Sequence, residues 1–199
     1  MKNIHTKAIA VVFGLLSFGA QAASSLTFQG VTFASQAVDA DTLEFSILNS
    51  NHATGDWSGA SFLKAFEIKG LGTEVLSGKL ISGPGVTAPS FGSVTAGVAA
   101  NLGCTTGGTK GACFSFATPL ALTSNMTWRI DFTAAAAAPL VFDTPHIKVQ
   151  FLDSLGDKKK MGDLLSQSLP VSAVPEPETY ALLLAGLGLV GAAMRKRKA

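Results

Sequence analysis

The sequence predicts an all-β fold for the central part of the chain, a single β-sandwich of jelly-roll type. Short segments alternate apolar and polar residues, which gives each strand one apolar face. The clearest are residues 126–132, where Trp128 and Ile130 flank Arg129, and residues 147–151. No segment there has a long helical period, and Gly, Ser, Asn and Pro separate the strands, so we expect two sheets packed face to face.

The earlier predicted strands have the same period of two. A change of phase at Gly30 predicts a β-bulge. Residues 75–81 form a weaker strand because Gly78 interrupts them. The predicted inward faces comprise Leu26 and Phe28; Val31 and Phe33; Leu43, Phe45 and Ile47; and Phe62, Phe66 and Ile68.

Loops are predicted where polar residues, Gly and Pro cluster. Residues 50–59 form a polar loop that carries Trp57, and the Gly/Pro-rich residues after position 81 form another. The five alanines at 134–138 are followed directly by Pro139, so we interpret them as a connection. Residues 113–116 are predicted to be a strand that leads out of a loop closed by cysteines.

The first 22 residues have the pattern of a secretory signal peptide. Lys2 and Lys7 provide the positive start, residues 8–19 a short apolar helix, and Ala20-Gln21-Ala22 a cleavage site. We therefore expect the exported β-sandwich domain to span residues 23–173.

The last 26 residues, 174–199, have three parts in a fixed order. Pro175, Glu176 and Pro177 form an extended strip, because proline disfavours helix in the residue before it. Residues 180–194 are uncharged and apolar. Together with Thr179 and the flanking basic side chains they predict a transmembrane helix over about 179–194, which is slightly shorter than a usual membrane span. Four basic residues, 195–198, follow and are predicted to stay in the cytoplasm.

This tail resembles the PEP-CTERM sorting signal of Gram-negative bacteria that make extracellular polysaccharide. The resemblance implies recognition by an exosortase-type membrane protease-transpeptidase, with Pro175, Glu176 and Pro177 as its substrate motif. It also implies an inner-membrane-anchored intermediate and a final place at the cell surface or in the extracellular matrix. Such tails follow many unrelated domains, so no activity is implied. The segments at 54–70, 146–153 and 161–167 give the domain a looser likeness to uncharacterised PEP-CTERM proteins.

Charge excludes one class of partner. The whole chain has a net charge of +2, but six of its 15 basic residues lie in the signal peptide and the tail. The exported part keeps nine basic and eleven acidic residues, a net charge of −2. With no basic surface we expect no nucleic-acid binding.

Cys104 and Cys113 are the two cysteines of the chain. An oxidising compartment and the intervening glycines favour a disulfide between them. A metal pair or a redox dithiol is the alternative, but the pair lacks C-x-x-C spacing and a nearby histidine.

Catalytic motifs are absent from the sequence: it contains no G-x-S-x-G, no Walker loop and no H-E-x-x-H. His52 and His146 are the imidazoles of the exported part, and we interpret both as exposed bystanders. The carboxylates at 153–163 lie beside three lysines and lack calcium-loop spacing, so a solvated turn is preferred. Asp39 and Asp41 are interpreted in the same way. We expect no enzyme activity, no metal and no cofactor.

Trp57 is the residue that we single out for binding. An exposed indole in a polar loop can stack on a sugar ring, which makes it a candidate glycan contact. The alternative, which we prefer, is that Trp57 folds back to cap the sandwich while Trp128 lies in the core.

The sequence therefore predicts an exported, non-enzymatic structural protein of the cell surface or matrix. The main alternative is an exopolysaccharide-binding module that uses Trp57. A hydrolase and an ice-binding protein are lesser alternatives.

Overall fold

The computed structural model describes residues 23–94, 96–99, 103–106, 111–135, 139–153 and 165–172, together with 184, 186 and 187. The chain divides into two compact units, one of residues 21–174 and one of residues 1–20 with 175–199. The first unit contains every strand discussed below. In the second, Leu184, Gly186 and Leu187 are helical.

The exported part is all-β, as predicted. Two short 3₁₀ helices, Ser50–His52 and Gly55–Trp57, lie in the segment predicted to be a polar loop. The strands are β1 Ala23–Phe28, β2 Val31–Ala37, β3 Thr42–Leu48, β4 Phe62–Lys69, β5 Val75–Ser82, β6 Ser90–Phe91, β7 Ala96–Ala99, β8 Gly103–Thr106, β9 Gly111–Ala121, β10 Asn125–Ala134, β11 His146–Leu152, β12 Leu165–Ser168 and β13 Val171–Ser172.

The strands form two larger sheets and one hairpin. A seven-stranded sheet has the order β13-β1-β2-β3-β10-β5-β6, and a four-stranded sheet has the order β12-β11-β4-β9. The hairpin pairs β7 with β8. Neighbouring strands in these sheets run antiparallel.

Apolar side chains of the two larger sheets meet in one core. The ring of Phe66, on β4 in the four-stranded sheet, lies 5.2 Å from that of Phe45 and 5.0 Å from that of Trp128, both in the seven-stranded sheet. Trp128 is fully buried, as predicted, and its Nε1 donates a hydrogen bond of 2.9 Å to the Pro84 carbonyl. Satisfying the indole N–H makes burial of this ring favourable.

The predicted bulge at Gly30 is wrong. Phe28 pairs with Val31, so Gln29 and Gly30 form a two-residue hairpin turn. Both turn residues have positive φ, 47° and 79°, which is the geometry that suits the twist of the flanking strands. The change of phase in the sequence therefore comes from a reversal of the chain.

The predicted inward face of β4 is wrong at one position. Leu63 is fully buried, whereas Phe62 is only half-buried. Opposite Gln150 and Phe151 the register skips Lys64, an extra residue that turns the start of the strand over. Leu63 consequently shares the core with Phe66 and Ile68.

Gly78 marks a close approach between the two sheets. A Cβ at this position would lie 2.4 Å from the Cβ of Ala112 on β9, which is well inside contact distance. The glycine that weakened the strand prediction is therefore required by packing of β5 on β9.

The terminal predictions fall largely outside the described residues. The signal peptide, the Pro-Glu-Pro strip and most of the predicted transmembrane helix at 179–194 are in that part of the chain. Among the residues that are described, no helix is long and apolar enough to cross a membrane.

Candidate functional site

Trp57 was the candidate glycan contact, and the structure shows the alternative that we preferred, in which Trp57 folds back onto the core. Its ring is 1% exposed and packs edge to face on Phe28, Phe33 and Phe151, at centroid distances of 5.2, 5.9 and 5.1 Å. The Gln29 side chain pulls the loop inward by accepting the Trp57 backbone N–H at 2.9 Å. The ring caps the core, so it does not present a face to a sugar.

The two histidines of the exported part have neutral hydrogen-bond partners. His52 is exposed, and its Nδ1 lies 2.8 Å from the side-chain oxygen of Asn51. His146 begins β11, and its Nε2 lies 3.1 Å from the Ser166 hydroxyl on β12. The Ser168 hydroxyl lies 3.4 Å from its Nδ1. In the described part of the chain, neither ring makes a hydrogen bond to a carboxylate that could orient it for general base catalysis.

Burial lowers the pKa of His146 from its ordinary 6.5, and the positive charges of Lys69 and Lys148 lower it further, against a smaller opposing effect of Glu67. The unfolded chain therefore binds the proton more readily than the folded chain. We expect the free energy of unfolding to fall as the pH drops below about 6.5, and His146→Gln to reduce this loss. Urea unfolding of both proteins at pH 7.5 and 5.5 measures the difference; an equal loss in both would contradict the assignment.

The predicted disulfide is confirmed. Cys104 on β8 is bonded to Cys113 on β9, with a Cα–Cα distance of 5.8 Å. The bond holds the β7–β8 hairpin against the four-stranded sheet, where Val98 and Ala65 are buried beside Cys113. The hairpin therefore covers the face of this sheet that points away from the main core.

Two buried polar side chains lie beneath the hairpin. Glu67 and Gln150 are each 1% exposed. Glu67 accepts a hydrogen bond of 3.3 Å from the Val98 N–H, and its Oε2 lies 3.9 Å from Lys148 Nζ. Gln150 accepts a hydrogen bond of 2.9 Å from the Gly103 N–H. These contacts stabilise the hairpin, because the buried side chains accept hydrogen bonds from its backbone N–H groups.

Asp39 matches the turn interpretation, whereas Asp153 does not match a solvated turn, because its Oδ1 is buried and has no hydrogen-bond partner among the described residues. Asp39 Oδ1 accepts the backbone N–H groups of Asp41 and Thr42, at 2.9 and 2.8 Å. These bonds lower the pKa of Asp39, the bond from Asp41 most strongly. Of the three aspartates at 153–163, Asp153 is among the described residues, whereas Asp157 and Asp163 lie outside them. In the described ranges, no three His, Cys, Asp or Glu side chains cluster as metal ligands would.

Phe91 is a candidate that the sequence analysis did not identify. It lies on β6, in a segment predicted to be loop, and is 72% exposed. It borders a cleft of about 390 Å³ that opens between β6 and β9. A lone aromatic in a run of Gly, Pro and Ser, without apolar residues at a period of two, is the signal that could have found it.

Comparison with known proteins matches one segment of the chain. The model of the PEP-CTERM protein-sorting motif matches residues 173–198, which agrees with the resemblance of the tail. The motif implies export, a membrane-anchored intermediate, and processing by an exosortase, a membrane enzyme. No curated protein and no solved structure matches the chain.

Proposed function

We propose, from the premise that this is a PEP-CTERM sorting-signal protein, that the exported part is a non-enzymatic structural domain delivered to the cell surface or matrix. The sorting motif at 173–198 is the observation that carries the proposal. The signal peptide directs export, the tail holds the chain in the inner membrane, and an exosortase then removes or transfers it at the Pro-Glu-Pro motif.

The architecture of the exported part supports a passive role. We interpret the seven-stranded and four-stranded sheets as the layers of a jelly-roll-like β-sandwich, because Phe45 and Phe66 join their apolar faces. The Cys104–Cys113 disulfide suits an oxidising compartment outside the cytoplasm. Such a domain keeps its shape where no chaperone or reductant acts on it.

The histidines also support a non-enzymatic role. A hydrolytic mechanism needs a base within hydrogen-bond reach of a nucleophile, commonly oriented by a carboxylate. His52 and His146 instead contact an amide and two hydroxyls on the surface. Neither ring lines the cleft between β6 and β9.

Replacement of Pro175, Glu176 and Pro177 by Ala is expected to block processing, because the extended strip presented to the exosortase is lost. In the producing cell, the variant should accumulate in the membrane fraction at the precursor mass. The wild-type chain should reach the surface or medium with its tail removed. Immunoblots of the fractions and intact-mass spectrometry measure both outcomes.

The matched control is Glu178→Ala, which alters charge beside the motif and leaves both prolines in place. This variant should be processed as the wild type is. If the triple-alanine chain is processed normally, the sorting assignment fails.

A carbohydrate-binding role is the second candidate function. Burial of Trp57 removes the residue first considered for it. The observation that favours it is the exposed ring of Phe91.

A further inference from the structure

The outward face of the seven-stranded sheet contains a row of four side chains that begins at its edge strand, β6, and runs inward across β5, β10 and β3. Phe91 on β6 pairs with Lys79 on β5, and Lys79 pairs with Asp131 on β10. Asp131 pairs in turn with Thr42 on β3. Paired residues of antiparallel strands point to the same side, so these four side chains are neighbours on one face.

This face is opposite the core. Leu80 follows Lys79, and Ile130 precedes Asp131. Both are buried between the sheets, so Lys79 and Asp131 point to the other side. Phe91, by contrast, is 72% exposed and lies on β6, the last strand of its sheet. The row therefore presents an aromatic ring at an open edge, followed by the partly exposed Lys79 and Asp131, while Thr42 at its inner end is buried.

The polar members supply a donor and an acceptor. Lys79 Nζ lies 5.7 Å from the centroid of the Phe91 ring. Asp131 is held in place because its Oδ1 accepts a hydrogen bond of 2.9 Å from Thr42 Oγ1. An ammonium group and a carboxylate together carry no net charge, so the row favours a neutral ligand that is rich in hydroxyls.

We propose that this row is a glycan-binding site for a neutral polysaccharide. One hexose ring stacks its C–H face on the side of the Phe91 ring that Lys79 does not cover, because the face of an aromatic ring is the negative part of its quadrupole. Lys79 donates to, and Asp131 accepts from, the hydroxyls of the same or the next sugar. The cleft beside Phe91 leaves space for the polysaccharide to continue past the sheet edge.

This site rests on the glycan-binding alternative and is independent of sorting by the tail. It also replaces Trp57 as the aromatic contact. A second copy of this chain could cover an exposed ring too, but the Lys79–Asp131 pair next to Phe91 offers hydroxyl-binding groups that an apolar contact between copies would leave buried and unused.

The test uses the full chain, purified in a polyoxyethylene detergent so that no sugar headgroup competes. Affinity electrophoresis is run through gels that contain hydroxyethyl cellulose, laminarin, dextran or the anionic polymer alginate. We expect retardation by at least one neutral polymer. Phe91→Ala should raise Kd about tenfold, which corresponds to roughly 1.4 kcal/mol. Asp131→Asn should raise Kd by a smaller factor, and Phe91→Trp should bind at least as well as the wild type.

Leu76→Ala is the matched control, because Leu76 is an exposed apolar residue of the same region that is not in the row. Its Kd should be unchanged. Migration unaffected by all three neutral polymers overturns the proposal, as does equal binding by the Phe91→Ala and wild-type chains. Retardation by alginate alone, or a dimer in sedimentation that Phe91→Ala abolishes, would also overturn it. Sorting of the Phe91→Ala chain in cells should be normal, so failure of this site and failure of the sorting assignment are distinguishable.

Discussion

Trp57→Ala is expected to lower the free energy of unfolding by about 3 to 5 kcal/mol, the usual cost of removing a large aromatic side chain from a core. The ring packs on Phe28, Phe33 and Phe151, so its removal leaves a cavity between three strands. Urea unfolding of the full chain in detergent, followed by far-ultraviolet circular dichroism, measures the change.

Two variants make this result specific. Trp57→Phe keeps an aromatic ring among the same neighbours and should lose less stability than Trp57→Ala. Phe91→Ala removes an exposed ring and should change the free energy of unfolding by less than about 0.5 kcal/mol. If Trp57→Ala unfolds at the same urea concentration as the wild type, the capping role is refuted. If folded Trp57→Ala loses polysaccharide binding while Phe91→Ala keeps it, the two aromatic residues have been assigned the wrong roles.

The double variant Cys104→Ser, Cys113→Ser is expected to have a free energy of unfolding about 2.5 to 3 kcal/mol lower than the wild type. The reason is that its unfolded chain is no longer constrained by a closed ten-residue loop. The loss should be local at first. The disulfide holds the β7–β8 hairpin over Glu67 and Gln150, so amide hydrogen exchange at Val98 and Gly103 should quicken. Hydrogen exchange with mass spectrometry on the full chain resolves this region.

Reduction of the wild-type protein with a thiol is the matched comparison, since it breaks the same bond without substituting either cysteine. Peptides from β3 and β10, on the other sheet, should lose less protection than those of the hairpin in both experiments. Uniform loss of protection across the domain would contradict a local role for the hairpin, and no change at Val98 or Gly103 would contradict the covering role of the disulfide.

Strands whose apolar and polar residues alternate clearly could be predicted from the sequence. In β10, Met126, Trp128, Ile130 and Phe132 are all buried, as their alternation indicates. β11 behaves in the same way at Ile147, Val149 and Phe151. β7 and β8 could not be predicted, because four-residue strands made mostly of small residues carry too little hydrophobic contrast to define a face.

The site residues were harder to predict than the strands. The polar sequence around Trp57 left both an exposed and a capping ring open, with capping preferred, but it did not identify Gln29, 28 residues earlier, as the side chain that holds the loop on the core. Glu67 occupies the outward position of an ordinary alternation, and it is buried only because the hairpin closes over it. Phe91 was missed because its partners, Lys79 and Asp131, come from strands that are distant in sequence.

By itself, the sequence determined the tail that matches the sorting motif, the all-β class, and which cysteines are bonded. These features depend on local composition, on spacing and on a period of two, all of which can be read along one stretch of chain. Only the tertiary structure decided that Trp57 is buried and Phe91 exposed. The reason is that burial depends on which distant segments pack over a residue, and a pattern within one segment does not contain that information.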